Sequence, residues 1–244
     1  KEYSTYLMAE RNNVLNSVAS NFRTLRRIIN LAISEDLIGM DKNPFMKYRI
    51  KTEKVKKHYL TDEELMMIEL APLEKNSRKD LHRNMFVFAA YAGGLRISDV
   101  LFLKWKDFDG ERVLVDTRKT GSTVSIELPS KALEMVAIYQ KPDSNPDEFI
   151  FPVLDNETDY YTNPKKQFDA IAYADYNANQ DLEAITKIVG IEKKVRFHTS
   201  RHSFAVRALK NGIRIEYVSK LMGHASISTT QIYAQVINEE LDKA

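Results

Sequence analysis

His198-Thr199-Ser200-Arg201-His202-Ser203-Phe204-Ala205 and, further on, Leu221-Met222-Gly223-His224-Ala225-Ser226-Ile227-Ser228-Thr229-Thr230-Gln231-Ile232-Tyr233 hold the densest run of chemically capable side chains in the chain. Three of its five histidines fall within the 27 residues from His198 to His224. His198 and His202 have the i, i+4 spacing of a zinc-binding helix. The residue after His198 is Thr199, however, where a metalloprotease needs a glutamate base, and the chain has no cysteine. A third ligand would have to be His224 or a distant carboxylate. His202 reads more simply as a structural histidine on the other side of its helix.

The rest of the composition narrows the alternatives. The chain has 244 residues, 43% hydrophobic and 29% charged, which is globular rather than disordered composition. No apolar run is long enough for a transmembrane helix. No charged-then-apolar leader precedes the first helix, so no secretory signal is expected and the expected location is cytoplasmic, at the nucleoid when bound to DNA. The absence of cysteine excludes disulfides, thiolate metal sites and a cysteine nucleophile. The chain opens at Lys1, and upstream parts are expected to be missing.

Net charge is only +2, but its distribution is uneven. Residues 1–57 carry 12 Lys and Arg against 6 Asp and Glu; residues 58–244 carry 24 against 28. The excess peaks at Lys47–Lys57, KYRIKTEKVKK, with six basic residues and one acid. A phosphate backbone would attract such a segment.

Periodicity divides the chain. Residues 1–50 read as helical, with Phe22, Leu25, Ile29 and Ile33 in one apolar stripe and Arg23, Arg27 and Asn30 on another face. Asn43-Pro44 should end this region. Thr61 and Glu64 form a capping box, with Leu60 and Leu65 placed as its hydrophobic staple. A helix over about Leu81–Tyr91 should stop at Gly93-Gly94, and a short helix with Asp99 and Val100 should follow Arg96. Between Lys104 and Leu128 the period becomes two, which predicts a small antiparallel sheet of three strands with Lys119 at the tip of the second hairpin. Asn163-Pro164 opens a further helical span and Gly190 ends it, with a possible break over Asn177 to Gln180. The fold class is therefore mostly α with a small three-stranded antiparallel sheet.

Metal-free phosphate chemistry has a candidate for every part. Planar guanidinium groups match the oxygens of a phosphodiester transition state, and Arg96 and Arg201 could form such a clamp. Histidines move protons or donate hydrogen bonds, a tyrosine can be the nucleophile, and a lysine on a hairpin can protonate a leaving oxygen. Order and spacing make the pattern specific. Gly94-Leu95-Arg96-Ile97-Ser98-Asp99, then Arg118-Lys119-Thr120, then His198 to Arg201, His224 and Tyr233, with final gaps of 3, 23 and 9 residues, resemble the tyrosine recombinase (phage integrase) family. The likeness covers about Leu60–Ala244 as the catalytic domain, and residues 1–50 look like the latter part of the helical core-binding domain.

This resemblance implies two domains, residues 1–46 and 60–244, joined by a basic linker at 47–59. It implies site-specific cleavage and rejoining of double-stranded DNA through a 3′-phosphotyrosine and a Holliday junction, by four protomers on two sites, with DNA-bending accessory proteins as further partners. Tyr233 would attack the phosphate and Arg96 and Arg201 would hold its oxygens. Lys119 would protonate the leaving 5′ oxygen, with Arg118 and Lys104 as nearby alternatives. His198 would assist proton transfer at the nucleophile, His224 would donate to a phosphate oxygen, and Asp99 would support Arg96 or the local helix. No cofactor is implied, because the covalent link conserves the phosphodiester energy. An arm-binding domain upstream is not seen.

Arg23, Arg27 and Asn30 could face a major groove, while Lys51, Lys54, Lys56 and Lys57 could track phosphates. Val236, Ile237 and Leu241 after the nucleophile fit one helix face that would dock on a neighbouring protomer, with docking on the same subunit as the alternative. Three rival functions remain: a type IB topoisomerase, a non-catalytic DNA-binding regulator, and a metal-dependent hydrolase using His198 and His202.

Overall fold

The computed structural model describes residues 2–53 and 57–241, the side chains of residues 238–241 excepted. The chain forms two compact units, Lys1–Lys56 and Lys57–Ala244. Among the described residues no helix is long and apolar enough to cross a membrane.

In the first unit, helix α1 (Glu2–Ala9) packs on α2 (Leu15–Ser34). Phe22 is the centre of its core, with Leu7, Val18 and Phe45 buried around it and Leu25, Ile29, Tyr48 and Ile50 packed at its edge. The rings of Tyr3 and Phe45 meet Phe22 edge-on, at 5.6 and 6.1 Å. Helix α2 ends at Ser34, well before Asn43-Pro44. The stop is local: Asp36 adopts a left-handed conformation, φ +56°, that short polar side chains tolerate, and its N–H donates to the Ile33 carbonyl. Pro44 instead opens a single 3₁₀ turn, Pro44–Met46, capped by the Asn43 side chain.

The second unit is built around α4 (Arg78–Tyr91), which follows α3 (Asp62–Glu69) and packs against it. Thr61 and Glu64 form the expected capping box, and Leu60 and Leu65 are fully buried beside it. Met85 to Ala90 are all buried, so the C-terminal half of α4 is apolar all round and serves as the centre of the core. Then come α5 (Ile97–Leu101), strands β1 (Arg112–Asp116) and β2 (Thr123–Glu127), and α6 (Ser130–Ala137). The strands pair antiparallel, with Val113 opposite Ile126 and Val115 opposite Val124, all four turned into the core.

Only these two strands form among the described residues, not three. The expected first strand is broken by a 3₁₀ turn, Trp105–Asp107, in which the Asp107 carboxylate accepts the Lys104 N–H. The flanking residues make single bridges only, Lys104 to Phe149 and Phe108 to Val113.

Helix α7 (Pro164–Ile188) is continuous through Asn177 to Gln180. Ala174, Ala178, Leu182 and Ile185 bury one stripe along it, which offsets the weak propensity of the asparagines. Helices α8 (Phe197–Lys210), α9 (Ile215–Leu221) and α10 (Ser228–Leu241) complete the unit. Both α4 and α10 pack on α8. Ile237 of α10 rests on the cluster of Ala205, Val206, Ala208, Val218 and Met222, so this part of the tail is seated on its own subunit in the single chain.

Candidate active site

Helix α8 supplies the centre of the site. Its first turn is fixed by Thr199, whose hydroxyl accepts the Arg196 N–H at 3.0 Å, and by Asn179, whose side-chain oxygen accepts the Phe197 N–H at 2.7 Å. That anchorage aims His198, Arg201 and His202 along one face at i, i+3 and i+4.

Arg201 is only 2% exposed. Its Nη1 donates to the Gly94 carbonyl at 2.7 Å and its Nη2 to the Met222 carbonyl. Two backbone turns thus hold the guanidinium plane. The Gly93-Gly94 turn requires glycine: both have φ near +65°, and a Cβ on Gly94 would lie 3.2 Å from the Arg201 Cα and 3.1 Å from Phe204. This close passage delivers Arg96, two residues on, to the N-terminus of α5.

Arg96 and Asp99 lie near each other, Nη1 to Oδ2 at 3.8 Å, beyond hydrogen-bond range. Both atoms are buried without a hydrogen-bond partner. The other Asp99 oxygen accepts the Arg118 N–H at 3.0 Å and so ties the β1–β2 turn to α5. Thr120 of the same turn donates to the Gly223 carbonyl at 3.2 Å. The turn is therefore fastened on both sides of the site.

These contacts sort the three basic candidates. Lys104 lies over Phe149 and Tyr161 and near Asp147, and the Arg118 guanidinium stacks on Phe102 at 3.7 Å. Lys119 is exposed at the turn, and its charge acts on His198.

His224 follows the Gly223 turn, and its Nδ1 is 2.8 Å from the hydroxyl of the fully buried Thr230. One turn later Tyr233 is 3% exposed, enclosed by α8 and α9 side chains. Its hydroxyl is 2.8 Å from Nδ1 of His202. The His198 ring meets the His202 ring edge-on at 4.6 Å. The expected place for His202, away from this face, is thus incorrect. A residue four after His198 shares its side of the helix, a consequence of helical period that was available in the sequence.

The electrostatics are those of an anion site. Burial first and then Arg96 lower Arg201 to about 10. Desolvation, followed by Arg201, Lys57, Arg96 and Lys119, pushes His198 down to about 4; the residue is nevertheless exposed at the surface of the site, so the neighbouring cations together carry more of this shift than burial does. Desolvation followed by Arg201, Arg96 and His198 brings His224 to about 4. His202 falls to about 3, through burial and then His198, Lys57, Arg201 and His58. All three rings are neutral at pH 7. Burial raises Tyr233 while Arg201 and Arg96 pull it back. An anion between the two arginines would relieve this crowding of positive charge.

Arg96, Lys119, His198, Arg201, His224 and Tyr233 thus belong to one connected neighbourhood. Lys57 joins it, since its charge acts on His198 and His202; it opens the second unit. Arg23 and Arg27 are exposed on α2 of the first unit, and Lys51 is exposed beyond it. Asn30 accepts a hydrogen bond from Asn43 at 3.3 Å. Lys54 and Lys56 lie outside the described residues. No group of three His, Asp or Glu residues that could hold a metal ion occurs among the described residues.

Comparison with known proteins decides the family. Residues 58–240 match the model of the phage integrase family, and residues 1–50 match the phage integrase SAM-like domain. The chain belongs to the phage integrase family. Its members are tyrosine recombinases, enzymes that cleave and rejoin DNA strands. One relative is the tyrosine recombinase XerC of Pediococcus pentosaceus, 27% identical over 244 residues, covering 99% of this chain and 78% of that protein. A Tn1549 transposon integrase in complex with transposon right end DNA shares the fold at 18% identity, with a TM-score of 0.71 over 99% of this chain and 84% of that one. A lambda integrase tetramer bound to a Holliday junction superposes with a TM-score of 0.59 at 21% identity, over 86% of this chain and 57% of that one.

Proposed function

We propose that this tyrosine recombinase performs site-specific strand exchange on double-stranded DNA with the six residues Arg96, Lys119, His198, Arg201, His224 and Tyr233. The observation that carries the assignment is a pair of guanidinium groups, Arg201 buried and Arg96 partly buried, beside a buried tyrosine hydroxyl. Two like charges brought together out of water are stable only with an anion between them. A scissile phosphate is such an anion, and its oxygens gain charge as the nucleophile adds.

Tyr233 attacks phosphorus, the bond to the 5′ oxygen breaks, and Lys119 gives that oxygen a proton. His224, held by Thr230, donates to a non-bridging oxygen. His198 serves proton transfer on the nucleophile's side. Asp99 positions Arg96 and the turn that carries Lys119. Rejoining reverses these steps on a different 5′ hydroxyl, so neither ATP nor a metal enters the balance.

Residues 1–46 form the core-binding domain, 47–59 the basic linker and 60–244 the catalytic domain. Arg23, Arg27 and Asn30 face DNA bases, and Lys51, Lys54, Lys56 and Lys57 meet phosphates. Four protomers act on two sites through a Holliday junction, as the tetrameric lambda integrase complex suggests.

The test is a nicked suicide duplex, selected from a randomised library by covalent capture with the native chain. A denaturant-resistant adduct mapped to Tyr233, formed in excess EDTA and lost in Tyr233→Phe, is expected. A native chain that captures no duplex would overturn the reading in favour of a DNA-binding regulator.

A further inference from the structure

The hydroxyl of Tyr233 has one near partner that the six assigned residues leave out. Nδ1 of His202 stands 2.8 Å from it, with both side chains buried between α8 and α10. The geometry fixes a direction for the proton. A phenol O–H donates well to an imidazole nitrogen, and a ring accepting at Nδ1 carries its own proton at Nε2. His198 stands behind, its ring edge-on to His202.

Taking Tyr233 as the nucleophile, as proposed above, we propose that His202 is the direct proton acceptor for Tyr233 in cleavage and its proton donor in rejoining. In cleavage the Tyr233 Oη–P bond forms as the P–O5′ bond breaks. The phenol proton passes to His202 Nδ1, and Lys119 gives a proton to O5′. In rejoining the incoming 5′ hydroxyl returns a proton to Lys119 as its oxygen bonds to phosphorus, the Oη–P bond breaks, and His202 returns its proton to Oη. Atoms and charges balance over the cycle with no further reactant.

The surroundings make this transfer depend on substrate. The groups acting on His202 are His198 and Arg201 on α8, Tyr233 on α10, and Lys57 and His58 ahead of α3. Without an anion, burial and the charges of Arg201 and Lys57 keep the ring neutral and a weak base, so Tyr233 keeps its proton. A phosphate held by Arg96 and Arg201 brings negative charge to the same cations and raises the basicity of His202. The nucleophile is then activated only where there is a phosphate to attack.

The experiment is single-turnover cleavage of the captured suicide duplex by His202→Gln. Glutamine keeps a hydrogen-bonding group near Tyr233 but takes no proton at neutral pH. General-base loss should slow cleavage by about 10²–10⁴-fold. The loss should persist on a duplex with a 5′-bridging sulfur, whose thiolate leaves without acid assistance, whereas Lys119→Ala should be rescued there. Site-specific 3,5-difluorotyrosine at position 233, a more acidic phenol, should shrink the His202→Gln defect by roughly tenfold or more.

A defect under about threefold, or one unaffected by fluorination, would overturn the proposal and leave His202 a packing residue. Thermal midpoint and DNA affinity report whether the variant folds. If it does not, the native chain carries the test through its solvent deuterium isotope effect on the sulfur-bridged duplex: a value clearly above one is expected, and unity overturns the idea. Absence of any adduct with native protein would instead sink the recombinase reading itself.

Discussion

Arg201 donates from Nη1 to the Gly94 carbonyl across 2.7 Å, and a Cβ on Gly94 would lie 3.2 Å from the Arg201 Cα, closer than ordinary van der Waals contact. The same two residues thus fix each other twice, once by the hydrogen bond and once by the close approach. Arg96 is placed by this contact, because it leaves the turn two residues later.

Gly94→Ala should therefore damage chemistry more than folding. A left-handed backbone costs an L residue about 1–2 kcal/mol, and the new methyl must also push α8 away. For a chain of this size each kcal/mol lowers the thermal midpoint by roughly 2–4 °C. The fold should survive, DNA affinity should stay close to native, and single-turnover cleavage should fall by more than the stability change explains. Cleavage at the native rate in a chain of lowered midpoint would show that the turn does not position the arginines.

Arg96→Ala and Arg201→Ala should each slow cleavage by roughly 10²–10³-fold, the worth of about 3–4 kcal/mol of preorganised charge stabilisation. Arg201→Ala should also lower stability, since it leaves the Gly94 and Met222 carbonyls without their donor. Arg96 has no side-chain hydrogen bond at Nη1 and only the 3.8 Å approach to buried Asp99, while its charge also repels Arg201, so Arg96→Ala should lower the midpoint less than Arg201→Ala does. Lysine should rescue either position poorly, because a point charge cannot reproduce the planar fork. Paired cleavage and melting measurements separate the two cases; equal stability losses would contradict the asymmetry.

Much of this site was legible in the sequence, and the failures have identifiable causes. The order of Arg96, Lys119, His198, Arg201, His224 and Tyr233 is set by chemistry and survives as spacing. Thr61 and Glu64 were readable because a capping box is a contact between near neighbours. The supposed first strand failed for a similarly local reason that alternation conceals: Asp107 reaches back to the Lys104 N–H and curls the segment. Asp36 ended α2 early by the same kind of short polar side-chain effect. His202 was different. Its partner lies 31 residues away, and only the docking of α10 on α8 makes the contact visible. The spacing of His198 and His202 could have signalled the shared face, since a residue at i+4 from His198 cannot face the opposite side of the helix.

The three histidines should make the fold acid-sensitive in a defined window. His198 and His224 titrate near 4 and His202 near 3 in the folded chain, against about 6.5 when unfolded. Buried His82, also lowered, adds in the same direction. Below pH 6.5 the unfolded chain binds protons that the folded chain refuses. Stability is therefore full above that pH and is lost as pH falls toward 4. His202 alone accounts for about 2 kcal/mol at pH 5. Denaturant unfolding at pH 7 and pH 5 reads this directly, in a range where carboxylates contribute little. A flat profile would mean that the rings are not held neutral. Excess DNA duplex should flatten the slope, because a phosphate at the arginines lets the histidines protonate in place.

The basic stretch ahead of the second unit calls for a test of affinity rather than rate. Lys54→Gln and Lys56→Gln together should weaken binding to unrelated duplexes by the same factor and lower the slope of log affinity against log salt by up to about 0.9 for each phosphate contact removed. Cleavage of the captured duplex at saturating protein should stay native, since neither residue is among the six assigned to the chemistry. Lys57→Gln should behave differently. Its charge acts on His198 and His202, so removing it should shift the pH dependence of cleavage as well as the salt slope. The comparison is informative because the three substitutions make the same chemical change within four residues. If all three alter only the salt slope, Lys57 is a phosphate contact like its neighbours and its field does not reach the reacting groups. If none alters it, the stretch is a solvated tether that holds no DNA.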